Sequence, residues 1–241
     1  MSQITYLIPV YNEIKTVREA INKVLDFNFN IAEILIIDNC SNDGSIEIIK
    51  EFKKHKNIKI ILKNKNYGWG DTVKKAMKLA TGEYLFIHHS DNEFDLNVCK
   101  RMYKLSESKS YDVIFGSRLK NLKTFKNYIS ALTKNHYFIA TIIFTTLINI
   151  LYGKNFTDTT GSKFHRLKTI RKIKIMSNNV SFEYEQICKL CEPGISSLEI
   201  YTKYAPRKDS KGKTVKWYHL FFGIYDIIFT RLFKYKKIVF K

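Results

Sequence analysis

The stretch ITYLIPVYNE, residues 4–13, opens with the run that decides the fold class. Its first five residues form a mainly apolar run that ends at Pro9, which is typical of a buried strand. Beyond it, apolar residues recur at helical spacing at positions 14, 17, 21, 24 and 25. A buried strand followed at once by an amphipathic helix predicts the first unit of a parallel sheet.

The same alternation continues along the first half of the chain. Strands are predicted at residues 33–38, 58–62, 84–88 and 112–115, and helices at residues 45–55 and 71–79. This alternation of strands and helices predicts an α/β fold in which a mostly parallel sheet is covered by helices on both faces. Ligands bind beyond the carboxyl ends of the strands in such sheets, which is where Pro9, Asp38 and residues 89–93 fall.

Two segments of the second half are candidates for contact with a membrane. Residues 137–152 are strongly apolar, but a span needs roughly 20 residues, so they form either a core helix or an interfacial helix. Residues 217–241 mix aromatic and basic side chains, as membrane-surface helices do. A helix packed on the domain with a solvated basic face fits these residues equally well. We expect one domain over residues 1–215 and an amphipathic segment over residues 216–241.

The charge of the chain favours anionic partners. There are 41 Lys and Arg residues against 22 Asp and Glu residues, which gives a net charge of +19. Such an excess attracts phosphates, anionic lipids or nucleic acids. No helix-turn-helix, zinc-finger or RNP-like motif is visible, so no nucleic-acid partner is expected. The four cysteines lack the spacing of a disulfide framework or a zinc site, and no signal peptide opens the chain, so we expect a reduced, cytoplasmic setting.

Five clusters occur in a characteristic order along the chain. They are Ile8-Pro9-Val10-Tyr11-Asn12-Glu13, Asp38-Asn39-Cys40-Ser41-Asn42-Asp43-Gly44-Ser45, Asn66-Tyr67-Gly68, the stretch from Gly82 to Glu93, and Gly116-Ser117-Arg118. Together they resemble the family 2 inverting glycosyltransferases, with their GT-A nucleotide-sugar fold. Within that family they resemble most the polyprenyl-phosphate sugar transferases, the branch of dolichol-phosphate mannose synthase. The resemblance runs from near Ile4 to near Val215.

The resemblance implies a nucleotide site at the ends of the first strands. In it, Pro9, Tyr11 and Glu13 border the base and the ribose, and Asp38 holds the base. The family's following acid is Asn39 in this chain, so that contact is altered. The full set of implied nucleotide-binding residues is Pro9, Tyr11, Glu13, Asp38, Asn66, Gly68, Ser90 and Asp91.

The resemblance also implies a divalent metal after the fourth strand. The family's Asp-x-Asp motif and the acid that often follows it align with His89, Asp91 and Glu93. A hard cation held there would neutralise the departing diphosphate. Because imidazole suits manganese better than magnesium, we predict that Mn²⁺ supports activity better than Mg²⁺. The histidine in place of the first Asp leaves open a degenerate, inactive site.

Three basic residues match phosphate-binding positions of the branch, namely Arg118, Arg207 and Lys213. Arginine suits phosphate because its planar fork donates two parallel hydrogen bonds. Asp158 matches an acid that lies near the acceptor in relatives, where it orients the acceptor or takes a proton from it. The resemblance therefore predicts Asp91, Asp158 and Arg118 as catalytic residues.

The expected reaction is an inverting displacement that moves a sugar from a nucleotide-diphosphate sugar, with UDP or GDP as the nucleotide, to an acceptor. The leading hypothesis is a polyprenyl phosphate acceptor, dolichyl or undecaprenyl, with the protein bound peripherally at the cytosolic face of a membrane. Two alternatives stay open. One is transfer to a hydroxyl of a growing surface glycan, and the other is a non-catalytic nucleotide-binding protein.

Overall fold

The computed structural model of the chain describes residues 3–122, 137–179, 181–206 and 219–232. Over this part of the chain, the central feature is a seven-stranded sheet with the strand order β3-β2-β1-β4-β6-β5-β7. The strands are β1 (Ile4–Val10), β2 (Ile31–Asp38), β3 (Ile58–Leu62), β4 (Tyr84–Ile87), β5 (Val113–Ser117), β6 (Ser162–Arg166) and β7 (Ser197–Tyr201). β6 runs antiparallel to β4 and β5, and the other pairs are parallel, so the predicted mostly parallel sheet is confirmed.

Helices cover both faces of this sheet. They are α1 (Val17–Phe27), α2 (Ser45–Glu51) with a following 3₁₀ turn (Phe52–Lys54), α3 (Trp69–Leu79), α4 (Val98–Lys109), α5 (Tyr137–Tyr152), α6 (Leu167–Ile170), α7 (Ser181–Leu190) and α8 (His219–Leu232). Because side chains alternate along a strand, Leu7 of β1 belongs to one core layer with α3, α5, α7 and α8. Its neighbours Tyr6 and Ile8 belong to the opposite layer with α1, α2 and α4. The prediction of an α/β fold with two covered faces is confirmed.

The carboxyl ends of four neighbouring strands lie at one edge of the sheet. Val10 of β1 pairs with Asp38 of β2, and Asp38 pairs with Leu62 of β3. β4 lies on the other side of β1 and runs in the same direction. The loops after these four strands therefore meet, and they carry four of the five sequence clusters.

Pro9 is accommodated in the central strand because the neighbouring strand has already ended. The last contact of regular pairing is the His88 backbone N–H, which donates to the Leu7 carbonyl. Past that point the Ser90 hydroxyl donates to the Pro9 carbonyl at 2.8 Å. A proline has no N–H for a sheet ladder, so this position at the end of the pairing costs no hydrogen bond.

The apolar segment 137–152 is the helix α5, with the bounds expected from sequence. Phe144 and Ile148 are buried in the core. Ile139, Ile143 and Ile150 of the same helix are exposed. The helix is thus anchored in the core and also carries apolar side chains outward.

The helix α8 is the described part of the C-terminal segment, and it packs against α5 and α7. Gly223 permits this approach, because a Cβ there would lie 2.6 Å from the Phe144 ring and 2.8 Å from the Tyr184 ring. On the outer face of α8, Phe221 is 62% exposed and Tyr225 is 60% exposed. Among the residues described, no helix combines the length and the apolar character needed to cross a membrane. The division of the chain at residue 215 stays a prediction.

Candidate active site

The loops after β1 and β2 are joined by side chains that accept hydrogen bonds from the backbone. Asp43 Oδ2 accepts from the Ile14 N–H at 2.9 Å, and Asp43 Oδ1 accepts from the Ser45 N–H at 3.0 Å. Burial opposes ionisation of Asp43, but these bonds together with the Ser45 hydroxyl hold its pKa below the usual range. Ser45 Oγ in turn accepts from the Glu13 N–H at 2.9 Å. Asp43 therefore has a structural role, while Tyr11 of the same loop is exposed.

Asp38, the residue predicted to hold the base, is fully buried. Its Oδ1 accepts from the Ser41 N–H at 2.9 Å, and its Oδ2 accepts from the Ser41 hydroxyl at 2.5 Å. In this conformation the carboxylate fixes the turn after β2 and presents no surface to a ligand. Direct contact between Asp38 and a base stays a prediction.

A connected set of polar side chains stands beside Asp38, at the ends of β2 and β3. Lys63 donates to Asn39 and to Asp71, and Asn39 donates to Asn66. Asn66 is exposed and also accepts from the Gly68 N–H, at 2.9 Å. Two of the predicted nucleotide-binding residues, Asn66 and Gly68, are thus held together at the sheet edge.

Gly68 has a backbone conformation that favours glycine. Its φ is +93°, in the left-handed region, and a Cβ there would lie 2.4 Å from the Asn178 carbonyl oxygen. The residue lets the β3–α3 loop pass close to the segment before α7. This is the physical reason for a glycine in the third cluster.

The two histidines at the end of β4 have different surroundings. His88 is buried, and desolvation lowers its pKa to about 4. The ring of His89 stacks on Trp69 with centroids 5.3 Å apart and lies 5.7 Å from the Phe94 ring. His88 is thus a neutral core residue, whereas His89 lies at the site between aromatic rings.

The acidic loop after β4, residues 89–93, forms hydrogen bonds within itself and with a segment that is distant in sequence. The Glu93 N–H donates to Asp91 Oδ1 at 3.1 Å. The Tyr204 hydroxyl donates to Glu93 Oε2 at 2.6 Å, and the Ala205 N–H donates to the Glu93 carbonyl at 2.8 Å. Glu93 is buried by these contacts, while Asp91 keeps partial exposure.

The three predicted metal ligands do not form a cluster. In the described ranges, no three His, Cys, Asp or Glu side chains are placed to hold one metal ion. The metal role of His89, Asp91 and Glu93 stays a prediction. In this conformation Glu93 is held by Tyr204 and the His89 ring lies against Trp69. Asp91 still fits a hard cation, since such cations are bound by one or two carboxylates together with phosphate oxygens.

Arg118 and Asp158 form an ion pair in which the Asp158 side chain is fully buried and 12% of the Arg118 side chain is exposed. Arg118 Nε lies 2.7 Å from Asp158 Oδ2, and Arg118 Nη2 lies 3.0 Å from Oδ1, which is a bidentate contact. Asp158 is fully buried. Burial alone raises the pKa of a carboxyl, but the charge and hydrogen bonds of Arg118 keep the pKa of Asp158 below its usual range. A carboxylate so stabilised is a weak base.

Aromatic rings surround the Arg118 guanidinium. Its central carbon lies 5.0 Å from the Phe138 ring centre, 5.2 Å from that of Tyr204 and 6.0 Å from that of Phe94. These are cation–π distances. Asp158 as a proton acceptor and Arg118 as a phosphate ligand stay predictions. The pair links the end of β5 to the segment before β6, and Arg118 also donates to Thr141 of α5.

Sequence reasoning assigns no role to two residues that organise the site, Lys63 and Tyr204. Tyr204 contacts the acidic loop from 111 residues away, and no local pattern indicates such a contact. The Lys63 network links residues of two loops, which only the sheet register brings together. Arg207 and Lys213, the other predicted phosphate ligands, lie outside the described residues.

A family model described as glycosyl transferase family 2 matches residues 5–173 of the chain. The match covers well over half of the 241 residues, so the chain belongs to glycosyltransferase family 2. The family expected from the five clusters is confirmed.

Two curated relatives illustrate how much of each protein is shared. The poly-beta-1,6-N-acetyl-D-glucosamine synthase of Staphylococcus epidermidis is 34% identical over 92 residues, which are 38% of this chain and 22% of that protein. The cholesterol galactosyltransferase of Borreliella burgdorferi is 26% identical over 193 residues, which are 75% of this chain and 52% of that protein. The chain therefore spans about a fifth to about a half of these relatives' lengths.

Among solved structures, the glucosyl-3-phosphoglycerate synthase of Mycobacterium tuberculosis with Mn²⁺, UDP and phosphoglyceric acid has the same fold. The TM-score is 0.66 at 11% sequence identity, over 95% of this chain and 77% of that chain. At this identity the likeness shows the fold alone. The predicted GT-A fold is confirmed.

Proposed function

We propose that the protein transfers a sugar from a nucleotide-diphosphate sugar to a polyprenyl phosphate, dolichyl or undecaprenyl. Membership of glycosyltransferase family 2 supports the donor half of this reaction. The fold supports it too. The loops after β1, β2, β3 and β4 meet at one edge of the sheet, and ligands of open α/β sheets bind at such edges. The mycobacterial neighbour of the same fold was solved with UDP and Mn²⁺.

The state of Asp158 is the observation that carries our choice of acceptor. A sugar hydroxyl must lose its proton to a base as it attacks the anomeric carbon. Asp158, the candidate base, is buried and paired with Arg118. A lipid phosphate is already ionised, so its oxygen can form the new bond to the anomeric carbon while the bond to the donor diphosphate breaks, and no base is needed. The paired Asp158 therefore supports a phosphate acceptor.

Asp91 is the residue that we propose to hold a divalent cation, with the diphosphate oxygens as further ligands. When bound, the cation supplies charge that stabilises the departing diphosphate. Arg207 and Lys213 are proposed as additional phosphate ligands. The mycobacterial protein was solved with Mg²⁺ as well as Mn²⁺, so our preference for Mn²⁺ rests on sequence alone, in which the imidazole of His89 replaces an oxygen ligand.

The outer apolar face of α5 and α8 supports peripheral binding at a membrane, which we place on the cytosolic side. We define this face by the exposed residues Ile139, Ile143, Ile150, Phe221, Phe222, Tyr225, Ile228 and Leu232. Within α8, Phe222, Tyr225, Ile228 and Leu232 are three or four residues apart and so line one side of the helix, with Phe221 next to them. A large exposed apolar patch marks an interaction surface, and a net charge of +19 suits an anionic lipid surface.

The reaction is tested by incubating the full chain with a panel of UDP- and GDP-sugars, a short polyprenyl phosphate, and either Mn²⁺ or Mg²⁺. We expect release of nucleotide diphosphate and a labelled product that extracts into organic solvent. The variant Asp91→Ala should reduce turnover by about a hundredfold or more, as removal of a group that stabilises transition-state charge does. Turnover equal to wild type in that variant would contradict the metal role, and a wild-type protein without turnover would favour the non-catalytic alternative.

Hydroxyl acceptors belong in the same panel as a second candidate. The match of 193 residues to a cholesterol galactosyltransferase favours a sterol hydroxyl, and the match to the glucosamine-polymer synthase favours a glycan hydroxyl. Transfer to cholesterol or to an oligosaccharide in the absence of any polyprenyl phosphate would overturn our choice of acceptor. It would leave the glycosyltransferase activity itself in place.

Membrane binding is tested by sedimentation with vesicles that contain phosphatidylglycerol. We expect the protein to sediment with the vesicles, and the double variant Phe221→Ser with Tyr225→Ser to bind at least about tenfold more weakly, since each lost aromatic ring removes buried apolar area. The variant Met176→Ser, which changes an exposed apolar residue outside the apolar face, is the matched control. Equal binding by the double variant would rule out this face.

A further inference from the structure

One side of the sheet presents a basic surface that has no part in the reaction as described so far. The helices α3, α5, α6, α7 and α8 pack on this side, together with residues 171–176, which follow α6. Among the described residues of these elements, no Asp or Glu is exposed. Six of their basic residues are exposed, and we call them the basic face: Lys75, Lys78, Lys168, Arg171, Lys172 and Lys174.

The acidic side chains on this side are mostly paired with lysines of the interior. Three of them form ion pairs with lysines that are themselves largely buried, namely Asp71 with Lys63, Glu183 with Lys163 and Glu185 with Lys189. Asp226 of α8 is partly buried. Glu83, which precedes β4, is exposed at the margin of this side, where its carbonyl oxygen accepts from the Leu167 N–H at 2.9 Å. The charge that these helices expose is therefore positive.

Hydrogen bonds hold α3 and residues 171–176 side by side. Lys74 Nζ donates to the Met176 carbonyl oxygen at 3.3 Å, and Arg171 Nε donates to the Met77 carbonyl oxygen at 2.7 Å. Arg171 Nη2 also donates to the Ala80 carbonyl oxygen at 2.5 Å, next to the C-terminal end of α3. The basic residues of the two elements therefore belong to one continuous surface.

The order of buried and exposed positions turns the lysines of this surface outward. Ile173 and Ile175 are buried in the core, whereas Lys174 between them is exposed. Lys75 and Lys78 are exposed and three residues apart, so they are neighbours on the outer surface of α3. Their ammonium groups are thus available to an anionic partner outside the protein.

The opposite side of the sheet, with α1, α2 and α4, exposes charges of both signs. Its exposed acids are Glu19, Asp26, Glu47, Glu51 and Glu107. Two of them pair with exposed basic residues of the same side, because Arg18 lies 2.6 Å from Glu51 and Lys23 lies 2.7 Å from Glu19. The uniform positive charge of the basic face is therefore a property of one side and does not simply follow from the net charge of +19.

The basic face lies on the same side of the sheet as the apolar face of α5 and α8. All of these helices contribute to one core layer, so one flat partner can contact both faces. Basic and apolar side chains on one surface suit an anionic bilayer, which offers phosphate groups and hydrocarbon together. A nucleic acid would match the charge but would leave the apolar face in water.

We propose that the basic face docks on the anionic phospholipid headgroups of the bilayer, beside the apolar face, so that this layer of helices lies flat on the membrane. The proposal rests on the membrane contact of the proposed function, and adds to it a second surface and an orientation. Lysine suits this contact because its flexible stem carries a point charge that needs no fixed geometry. Each lysine close to an anionic leaflet strengthens binding about fivefold.

The test is sedimentation of the full chain with two kinds of vesicle, one of phosphatidylglycerol mixed with phosphatidylcholine and one of phosphatidylcholine alone. The double variant Lys75→Gln with Lys78→Gln should bind the mixed vesicles at least about tenfold more weakly than wild type, and the neutral vesicles equally well. Lys172→Gln with Lys174→Gln should have the same effect from the neighbouring element. Thermal melts check folding, and either variant keeps the test open if the other does not fold.

The matched control is Lys104→Gln with Lys109→Gln. It removes the same two charges from exposed positions of α4, on the opposite side of the sheet. This variant should bind the mixed vesicles as wild type does. The proposal is overturned if the control weakens binding as much as the basic-face variants, since net charge alone would then explain the result. It is also overturned if both folded basic-face variants bind as wild type does.

Two further outcomes separate this proposal from its alternatives. If the basic-face variants lose binding to duplex DNA but keep full binding to the mixed vesicles, the partner is a soluble polyanion and the proposal is overturned. If wild-type protein sediments with neither kind of vesicle, the membrane contact of the proposed function itself fails. Weak binding by Phe221→Ser with Tyr225→Ser, together with full binding by the lysine variants, would keep that contact and remove only the basic face.

Discussion

At the edge formed by β1, β2 and β3, Asp43 uses its charge differently from Asp158 in the region around β5 and β6. At the first edge, Asp43 is partly exposed, and its oxygens accept from backbone N–H groups of neighbouring loops. Around β5 and β6, Asp158 and Arg118 neutralise each other in the interior, and His165 is buried. The first arrangement shapes loops for a ligand, whereas the second binds distant parts of the chain together. Substitutions in the second region should therefore cost more folding free energy.

The largest effect is expected for Asp158→Ala. This change leaves the Arg118 guanidinium buried without its counter-charge, which costs about 3–5 kcal/mol of unfolding free energy. Urea denaturation followed by circular dichroism measures it. The exposed pair of Arg18 and Glu51 provides the control, and Glu51→Gln should leave the unfolding midpoint nearly unchanged. A midpoint for Asp158→Ala equal to that of wild type would contradict the contrast between the two regions.

A smaller, pH-dependent effect is expected at His165 of β6. Burial lowers its pKa from 6.5 to about 3, so between these values the unfolded chain binds a proton that the folded chain does not. Stability must therefore fall as the pH falls through this window. At pH 5 the loss from this one residue is about 2 kcal/mol relative to pH 7.

His165→Phe should reduce the difference in unfolding free energy between pH 7 and pH 5 by that amount. The exposed His55 is the control, and His55→Gln should keep the wild-type difference. An unchanged difference in His165→Phe would show that His165 is protonated within the folded protein.

Tyr204→Phe extends the comparison to the loop after β4, because Tyr204 lies between Glu93 of that loop and Arg118 after β5. The variant removes the hydroxyl that holds Glu93 but keeps the ring against Phe94 and Arg118. A lost hydrogen bond to a carboxylate is worth about 1.5 kcal/mol, so we expect kcat/KM to fall about tenfold. Because the Glu93 N–H donates to Asp91, release of Glu93 should also loosen Asp91 and raise the concentration of Mn²⁺ that gives half-maximal rate, which a purely structural role would not cause. Tyr201→Phe, on β7, should change neither quantity.

The smallest effect is expected for Asp43→Ala. The loss of bonds to the backbone N–H groups of Ile14 and Ser45 costs about 1 kcal/mol, as the loss of a helix-capping side chain does. Urea denaturation under the conditions used for Asp158→Ala gives a direct comparison. A cost for Asp43→Ala equal to or above that for Asp158→Ala would reverse the contrast.

Sequence patterns predict the first half of the fold well, because β1 to β4 are apolar runs separated by helices of clear period. They do not predict β6, whose sequence SKFHR has no apolar alternation. β6 is a strand because β4 and β5 flank it on both sides, and Lys163 within it is neutralised by Glu183 of α7. Polar residues in a central strand are tolerated only with such partners, which lie far away in sequence.

The candidate site divides in the same way. Residues 9–13, 38–45, 66–68 and 89–93 are placed at one sheet edge by parallel topology, and that placement follows from sequence. The exposure and the hydrogen-bond partners of each side chain do not follow from sequence. Both oxygens of the Asp38 carboxylate accept hydrogen bonds from Ser41, and Glu93 accepts one from the distant Tyr204.

By itself, the sequence determined that this chain is a family 2 glycosyltransferase with a GT-A sheet, because strand periodicity and the order of the five clusters are local properties of the chain. The tertiary structure alone decided which charges are free and which are paired. Arg118 meets Asp158 across 40 residues, and Tyr204 meets Glu93 across 111 residues. Such contacts depend on how the sheet brings distant loops together, and local sequence does not encode them.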